Sequence, residues 1–403
     1  MAFGVSKAIV FLAPLILSNT LNKSDYGIVE YALNIGFIGA VILNLGVSNS
    51  YPYFKLKRKF KTVFSGFAIH YLFLLISSVL LLILVFVFKG KTEYVLSILF
   101  IYTLSNQINY SLQSKTDEKI VKAVIIDALF YVVLLLGYGL ILFTKNTSVN
   151  NILYTSSLYA IIFVIISVLR LKKLNYKEDI KKYQKLIKYG KSVMISGLLI
   201  LLIANSGRLL LEYLFHNKEL VAIFSFYFRM ASFVVIVHQI LNIIYFKRIY
   251  TFNIKKLDHF FTVFLGIIIF SATIMYVVIP LVGPYFFKLF KTFSLYKTTY
   301  LILCFQMIFW ILLANNENVI YREKLANKMN IGFIFLLVLF CFLVVVFKSK
   351  VSFQIAVFML YLLIVFAVFI QLAILYKFKK IKLPRTTILS SVVFILSLIL
   401  IGW

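Results

Sequence analysis

The sequence predicts an all-α polytopic membrane protein with about twelve transmembrane helices in two six-helix bundles. Of the 403 residues, 63% are hydrophobic and 14% are charged, and the mean hydropathy is +1.00, which excludes a water-soluble domain of this size. Apolar runs of about 20 residues, enough to cross a hydrocarbon core, recur between short basic connections. These runs lack the two-residue alternation of a membrane β-barrel, so helices are predicted.

The predicted helices follow these runs. Six lie in the first half, at 2–19, 28–49, 63–88, 95–113, 120–143 and 152–171. Six lie in the second half, at 190–213, 220–245, 260–282, 299–316, 328–347 and 351–376. A further run at 388–401 is short for a span, so a thirteenth helix, a half-inserted segment and an interfacial helix all stay open.

The predicted domains group these helices into two bundles. They are a bundle over 1–172, a basic cytoplasmic linker over 173–189, a bundle over 190–376, and a basic segment with a short apolar run over 377–403. A weak repeat supports two lobes, because Phe3-Gly4 before the first span is echoed by Tyr189-Gly190 before the seventh. Six helices per half return the chain to the same side, so the halves would be parallel copies.

The basic residues predict the orientation. Most of the 42 Lys and Arg fall in loops that follow even-numbered helices, and basic loops stay in the cytoplasm. The N-terminus is therefore expected in the cytoplasm. The net charge of +29 sits in short loops and not on a soluble face, so we expect contact with anionic membrane lipids and no nucleic-acid binding.

The sequence motifs do not support a soluble enzyme. Gly90-Lys91-Thr92 and Gly190-Lys191-Ser192 end like a phosphate-binding loop, but Val85 and Lys185 stand where that loop needs its first glycine. The two cysteines lie in apolar runs without metal-ligand spacing, so packing roles are expected and no metal or cofactor is predicted. The protein is not expected to be an enzyme.

Polar side chains inside the spans are the candidate functional residues, because a charge at mid-membrane costs several kcal/mol. On the second helix, Glu30, Asn34 and Asn44 share one face. Asn106 and Asn109 do the same on the fourth helix. The remaining candidates are Lys7, Asp127, Asn205, Arg208, Glu212 and Arg229. Purely structural roles stay open for these residues. Lys7 and Glu30 could snorkel to the membrane interface, Arg208 and Glu212 could neutralise each other, and the amides could hold helices together.

The first 55 residues resemble a known family. The pattern comprises Ser6-Lys7, Pro14, the turn Ser24-Asp25-Tyr26-Gly27, Glu30, Leu45-Gly46 and Tyr51-Pro52-Tyr53. It is similar to the O-antigen and capsule-unit flippases of the multidrug/oligosaccharidyl-lipid/polysaccharide exporter superfamily. The resemblance implies two six-helix bundles around a central cationic cavity, alternating access, and an undecaprenyl-pyrophosphate-linked oligosaccharide as substrate. It also implies a multi-pass protein of the bacterial inner membrane, in contact with other polysaccharide-assembly proteins.

Roles for individual residues follow from charge and depth. Arg229, Arg208 and Lys7 are expected to hold the pyrophosphate, and Asn34, Asn109 and Asn205 to bind sugar hydroxyls. Glu30, Asp127 and Glu212 are candidates for ion coupling. A multidrug exporter of the same superfamily, a small-solute transporter and a membrane polymerase are the alternatives. The outer loop at 283–298 contains no carboxylate, which disfavours the polymerase.

Overall fold

In a computed structural model of the 403-residue chain, residues 2–52, 54–55, 63–171, 176–239 and 252–402 are described. These residues form helices and no strands, which confirms the predicted all-α class. Ten helices are long and apolar enough to span a bilayer, or eleven if one bent pair counts as a single span. The chain is therefore a multi-pass membrane protein.

The helices agree closely with the predicted spans. In chain order they are α1 (Ala2–Thr20), α2 (Lys23–Leu43), α3 (Val47–Pro52), α4 (Val63–Val87), α5 (Thr92–Thr116), α6 (Ile120–Thr144), α7 (Asn150–Leu171), α8 (Tyr176–Asn205), α9 (Gly207–Phe215), α10 (Lys218–Ala231), α11 (Phe233–Gln239), α12 (Ile254–Phe286), α13 (Phe293–Arg322), α14 (Ala326–Phe347), α15 (Phe353–Lys379) and α16 (Pro384–Ile401). Short 3-10 turns at Lys288–Thr292 and Lys348–Lys350 precede α13 and α15.

Three predicted spans are broken. The span predicted at 28–49 ends at Leu43, because Leu45 and Gly46 adopt φ of +48° and +70°, so the polar face starting at Glu30 stops near Asn44. The span predicted at 190–213 divides at Ser206. The span predicted at 220–245 bends by 40° between α10 and α11, and its residues beyond 239 lie outside the described part.

The chain forms two compact units. Unit 1 comprises Met1–Leu198 and Asn217–Ala222, and unit 2 comprises Leu199–His216 and Ile223–Trp403. The described part of the predicted linker, 176–189, is the first half of α8.

One helix forms the centre of each unit. In unit 1, α5 packs against α2, α4, α6 and α7, and it buries polar residues along most of its length. In unit 2, the span containing α13 is 72% buried, whereas that of α14 is 22% buried. A helix that is covered by protein on most sides can carry amides that lipid would not accept.

The run of uncertain role, 388–401, belongs to a full helix. α16 has 18 residues, is apolar enough to span a bilayer, and packs on α12 and α13. Its first turn is capped by Asp258 of α12. The Asp258 carboxylate accepts hydrogen bonds from the backbone N of Arg385 at 3.1 Å, and from the backbone N and hydroxyl of Thr386 at 3.0 and 2.8 Å. This carboxylate satisfies donors that a helix start leaves open.

Candidate functional site

A cluster of four buried polar side chains joins the helices of unit 1. Asn44 Oδ1 accepts hydrogen bonds from Asn109 Nδ2 and, at 3.1 Å, from His70 Nε2. The other ring nitrogen, His70 Nδ1, lies 3.1 Å from the Tyr183 hydroxyl. A neutral imidazole satisfies both contacts, with Nε2 as donor and Nδ1 as acceptor. The cluster thus links α2, α4, α5 and α8 through hydrogen bonds inside a protein core.

Two glycines set the position of this cluster. Asn44 is the C-cap of α2, and Gly46 two residues later lies against the backbone of Gly190 in α8. A Cβ on Gly190 would lie 2.1 Å from the carbonyl oxygen of Gly46, so the site accepts no side chain. The glycine of Gly190-Lys191-Ser192, which looked like part of a nucleotide loop, therefore serves helix packing.

Sequence reasoning identified Asn109 and missed His70 and Tyr183. His70 has no exposed surface and lies in the apolar helix α4. An ionisable ring within an apolar run was the available signal, since such groups are costly in a membrane unless they are bonded.

The predicted residues of α2 are buried. Glu30 has no exposed surface, and Asn34 is 4% exposed. On α2, Gly36 and Gly39 would each place a Cβ under 3 Å from side chains of α5, so the two helices approach closely.

Lys7 and Asp127 lie in the same part of unit 1. α1 packs on α6, where the Ser6 hydroxyl donates to the carbonyl of Val124 at 3.0 Å. Lys7 interacts electrostatically with Asp127. Asp127 also forms an ion pair with Lys115 at 2.8 Å, and their side chains are 42% and 50% exposed. This carboxylate belongs to a group of mixed charges at the edge of the unit.

A buried ion pair lies at the N-terminal end of α5. Lys218, the first residue of α10, lies 2.9 Å from Glu93 in the first turn of α5, and the two side chains are 12% and 6% exposed. The Lys218 ammonium also lies 3.7 Å from the centroid of the Tyr31 ring. A Cβ on Gly27 would lie 1.9 Å from the carbonyl oxygen of Lys218, so Gly27 allows α10 to begin here. The sequence Ser24-Asp25-Tyr26-Gly27, expected to be a turn, thus lies in the first turns of α2, and its glycine has a packing role.

A hydrogen bond joins two loops of unit 1 that are far apart in sequence. Lys55, after α3, hydrogen-bonds the carboxylate of Asp117, which lies between α5 and α6. This bond raises the pKa of Lys55. The distribution of Lys and Arg predicted that both loops lie on the same side of the membrane. In the structure the two loops are in contact through Lys55 and Asp117.

Arg208 is the best-defined cation of unit 2. It is 6% exposed, its Nε donates to the Ser225 hydroxyl at 2.9 Å, and its guanidinium lies 5.2 Å from the centroid of the Phe228 ring. Gly207 makes this possible, because a Cβ there would lie 2.3 Å from the ring of Phe224. α9 therefore packs tightly on α10, and a fixed guanidinium results.

The other predicted residues of unit 2 lie at helix ends. Arg229 is half-buried in the last turn of α10, and its carbonyl accepts the Ser232 hydroxyl at 2.7 Å beside the bend to α11. Asn205 ends α8, and Glu212 lies one turn after Arg208 on α9; both are partly exposed. Arg208 and Arg229 lie in the same unit. Ser225 lies between them in sequence, and its hydroxyl accepts a hydrogen bond from Arg208.

A second buried histidine was missed in unit 2. His238 Nε2 lies 3.1 Å from Asn315 Oδ1 of α13, and the His238 ring meets the Phe264 ring edge-on at 5.6 Å. Asn316, which follows Asn315 in α13, has no exposed surface, and its amide forms no hydrogen bond with any described residue. Within the described residues, no group of His, Cys, Asp or Glu could hold a metal ion.

The comparisons concern the fold. No family model and no curated protein matches the sequence. A solved multidrug resistance MATE family transporter of the MOP superfamily, in an inward-facing conformation, is similar over 98% of this chain and 94% of its own, with a TM-score of 0.52 and 15% identity. The chain has the fold of this MATE transporter. A eukaryotic MATE transporter is similar over 98% of this chain and 100% of its own, with a TM-score of 0.47 and 11% identity.

Proposed function

We propose that the chain is a transporter of the MOP superfamily that flips an undecaprenyl-pyrophosphate-linked oligosaccharide across the bacterial cytoplasmic membrane. It would serve O-antigen or capsular polysaccharide assembly by alternating access. The observation that carries the proposal is the fold shared with an inward-facing transporter over 98% of the chain.

The polar side chains support this substrate class. Arg208 is held by a hydroxyl and an aromatic ring, and a fixed guanidinium can donate two parallel hydrogen bonds to phosphate. Lys7 and Arg229 would add positive charge, and Asn34, Asn109 and Asn205 would bind sugar hydroxyls. Glu30, Asp127 and Glu212 are the proposed coupling carboxylates, with Glu30 the most buried of the three.

An ion-coupled multidrug exporter is the second candidate. The similar solved structure is a multidrug transporter, and the wholly buried Glu30 could serve an organic cation as well as a coupling ion. A polymerase is a weaker alternative, since residues 283–298, the end of α12, the short connection and the start of α13, contain no carboxylate.

A deletion strain separates these functions. A flippase defect leaves lipid-linked repeat units on the cytoplasmic leaflet, because charged diphosphate and sugar hydroxyls cross a bilayer extremely slowly. Accessibility to an impermeant lectin is measured in intact and inverted vesicles. We expect label in inverted vesicles only. Normal surface delivery, in a strain without a second flippase, rejects the flippase, and drug sensitivity with normal sugars identifies the exporter.

Arg229 provides the first residue-level prediction. Arg229→Ala should abolish surface delivery at normal membrane levels, whereas Arg229→Lys should retain part of it, since lysine keeps the charge but loses the planar fork. Lys350→Ala, at an exposed lysine, is the matched control and should transport normally. Full transport by the alanine variant would remove Arg229 from the site.

The orientation has its own test. In a chain without Cys304 and Cys341, a cysteine replacing exposed Lys181 should be shielded from impermeant thiol reagent in intact cells, and one replacing exposed Lys291 should label. The reverse pattern would place the N-terminus outside the cytoplasm.

A further inference from the structure

A basic cleft opens in unit 2 where α12 begins. It has a volume of about 1130 Å³, and the connection between α15 and α16 forms its other side. Its rim carries five exposed cations, Lys255, Lys256, Lys380, Lys382 and Arg385. Two chain segments that are far apart in sequence thus bring their positive charge to one place.

The positive charge of the cleft is not balanced within the described residues. None of the five cations forms an ion pair there. Asp258 is the carboxylate in the lining, and its oxygens are occupied by the start of α16. The ammonium groups of Lys380 and Lys382 lie 5.4 and 5.6 Å from the centroid of one ring, that of Tyr376. Two ammonium groups gathered at one ring, without a carboxylate partner among the described residues, favour an anion nearby.

One wall of the cleft is apolar. Lys256, Phe260, Val263 and Ile267 follow one another at spacings of four, three and four residues, so they form a single stripe on α12. Val263 is 51% exposed and Ile267 is 42% exposed. The stripe extends about 16 Å from the cationic rim into a helix that is apolar enough to span a bilayer. Charge at one end and exposed hydrocarbon along the other match an amphipathic ligand.

We propose that this cleft binds an anionic phospholipid from the surrounding leaflet. The phosphate is held by Lys256, Lys380, Lys382 and Arg385, and an acyl chain lies along Phe260, Val263 and Ile267. A soluble phosphate would use the rim but not the wall, and the charge-based orientation places the rim at the cytoplasmic leaflet. The proposal does not depend on what the protein transports.

Lipid titration of the purified full-length protein, followed by native mass spectrometry, tests the charge. Phosphatidylglycerol and phosphatidylcholine with identical acyl chains are compared. Replacing Lys380, Lys382 and Arg385 together by Gln should weaken phosphatidylglycerol binding roughly a hundredfold and leave phosphatidylcholine binding unchanged. The matched control replaces exposed Lys91, Lys291 and Lys350 by Gln and should bind as the parent protein does. Equal losses in both triple variants, or none in the first, overturn the proposal.

A second variant tests the wall with all charges retained. Val263→Trp combined with Ile267→Trp fills the stripe, so phosphatidylglycerol binding should fall. The tryptophan variant and the parent protein should unfold at the same temperature. Glycerol phosphate, which has the headgroup chemistry without acyl chains, should fail to displace the lipid at a hundredfold excess. Displacement by glycerol phosphate, or undiminished binding to the tryptophan variant, would make this a soluble-anion site and reject the lipid.

Discussion

The central helices of the two units, α5 and α13, are both buried and rich in amides, yet they are connected to their neighbours differently. Asn109 of α5 belongs to a cluster with Asn44, His70 and Tyr183 that joins four helices. Asn315 of α13 bonds one partner, His238. The polar contacts of the central helix therefore join more helices in unit 1 than in unit 2 among the described residues.

Unit 2 relies more on aromatic packing. Around Tyr227 of α10 lie five rings at centroid distances of 5.4 to 6.2 Å, those of Phe226, Phe290, Phe293, Tyr296 and Tyr300. Aromatic pairs tolerate several geometries, whereas a buried hydrogen bond fixes distance and angle. The difference teaches that two similarly buried, amide-rich helices can be joined to their neighbours by different kinds of contact. Substitutions of polar residues should accordingly cost more in unit 1.

The largest effect is expected at the buried ion pair of unit 1. Lys218→Met should lower the free energy of unfolding by about 3–5 kcal/mol, because Glu93 is left buried and charged. The double variant with Glu93→Leu should recover most of this loss. Unfolding by denaturant in detergent measures both. The exposed pair provides the control, since Lys115→Met should cost about 1 kcal/mol or less. Equal costs at the two pairs would show that burial does not raise the cost of breaking a polar contact in unit 1.

A smaller effect is expected from matched amides. Asn44→Leu removes the acceptor of two hydrogen bonds and should cost about 2–3 kcal/mol, whereas Asn315→Leu removes one and should cost about 1 kcal/mol. The same unfolding measurement applies. A larger cost at Asn315 would mean that polar contacts matter more in unit 2 than its aromatic packing.

The smallest effect on stability is expected at Gly190 and Gly4, the two glycines of the predicted sequence repeat. Gly190→Ala should cost about 1–3 kcal/mol because its methyl group would meet the backbone of Gly46. Gly4→Ala meets nothing within 4 Å and should be neutral or stabilise the helix by up to about 1 kcal/mol. Thermal melting of both variants measures the difference. Equal shifts would show that the repeated glycines are equivalent after all.

Sequence patterns predicted the helices well because hydropathy acts over a whole span. They placed α16 at 388–401 and missed its first turn, since Pro384-Arg385-Thr386-Thr387 has no apolar character. The cap that stabilises this turn comes from Asp258, more than a hundred residues away. Such a partner cannot be predicted from local sequence.

The candidate site was predicted less well. The amide stripes of two helices pointed to Asn44 and Asn109, because residues three or ten apart fall on one helix face. They could not show that His70 and Tyr183 from two other helices would meet them. Helix breaks were missed at Asn44, Ser206 and Ser232, since each lies in a run that is apolar enough to continue. The roles proposed for Lys7, Arg208 and Arg229 stay predictions.

The cap on α16 has a consequence for biogenesis. When the ribosome has made α12, the backbone donors of Arg385 and Thr386 that bond the Asp258 carboxylate do not yet exist. Asp258 is the fifth residue of α12, beside the exposed Lys255 and Lys256, so water can solvate its carboxylate until the segment 127 residues later has been made. The start of α16 is therefore capped by a residue made long before it, and this contact of unit 2 forms only after α15 has been synthesised.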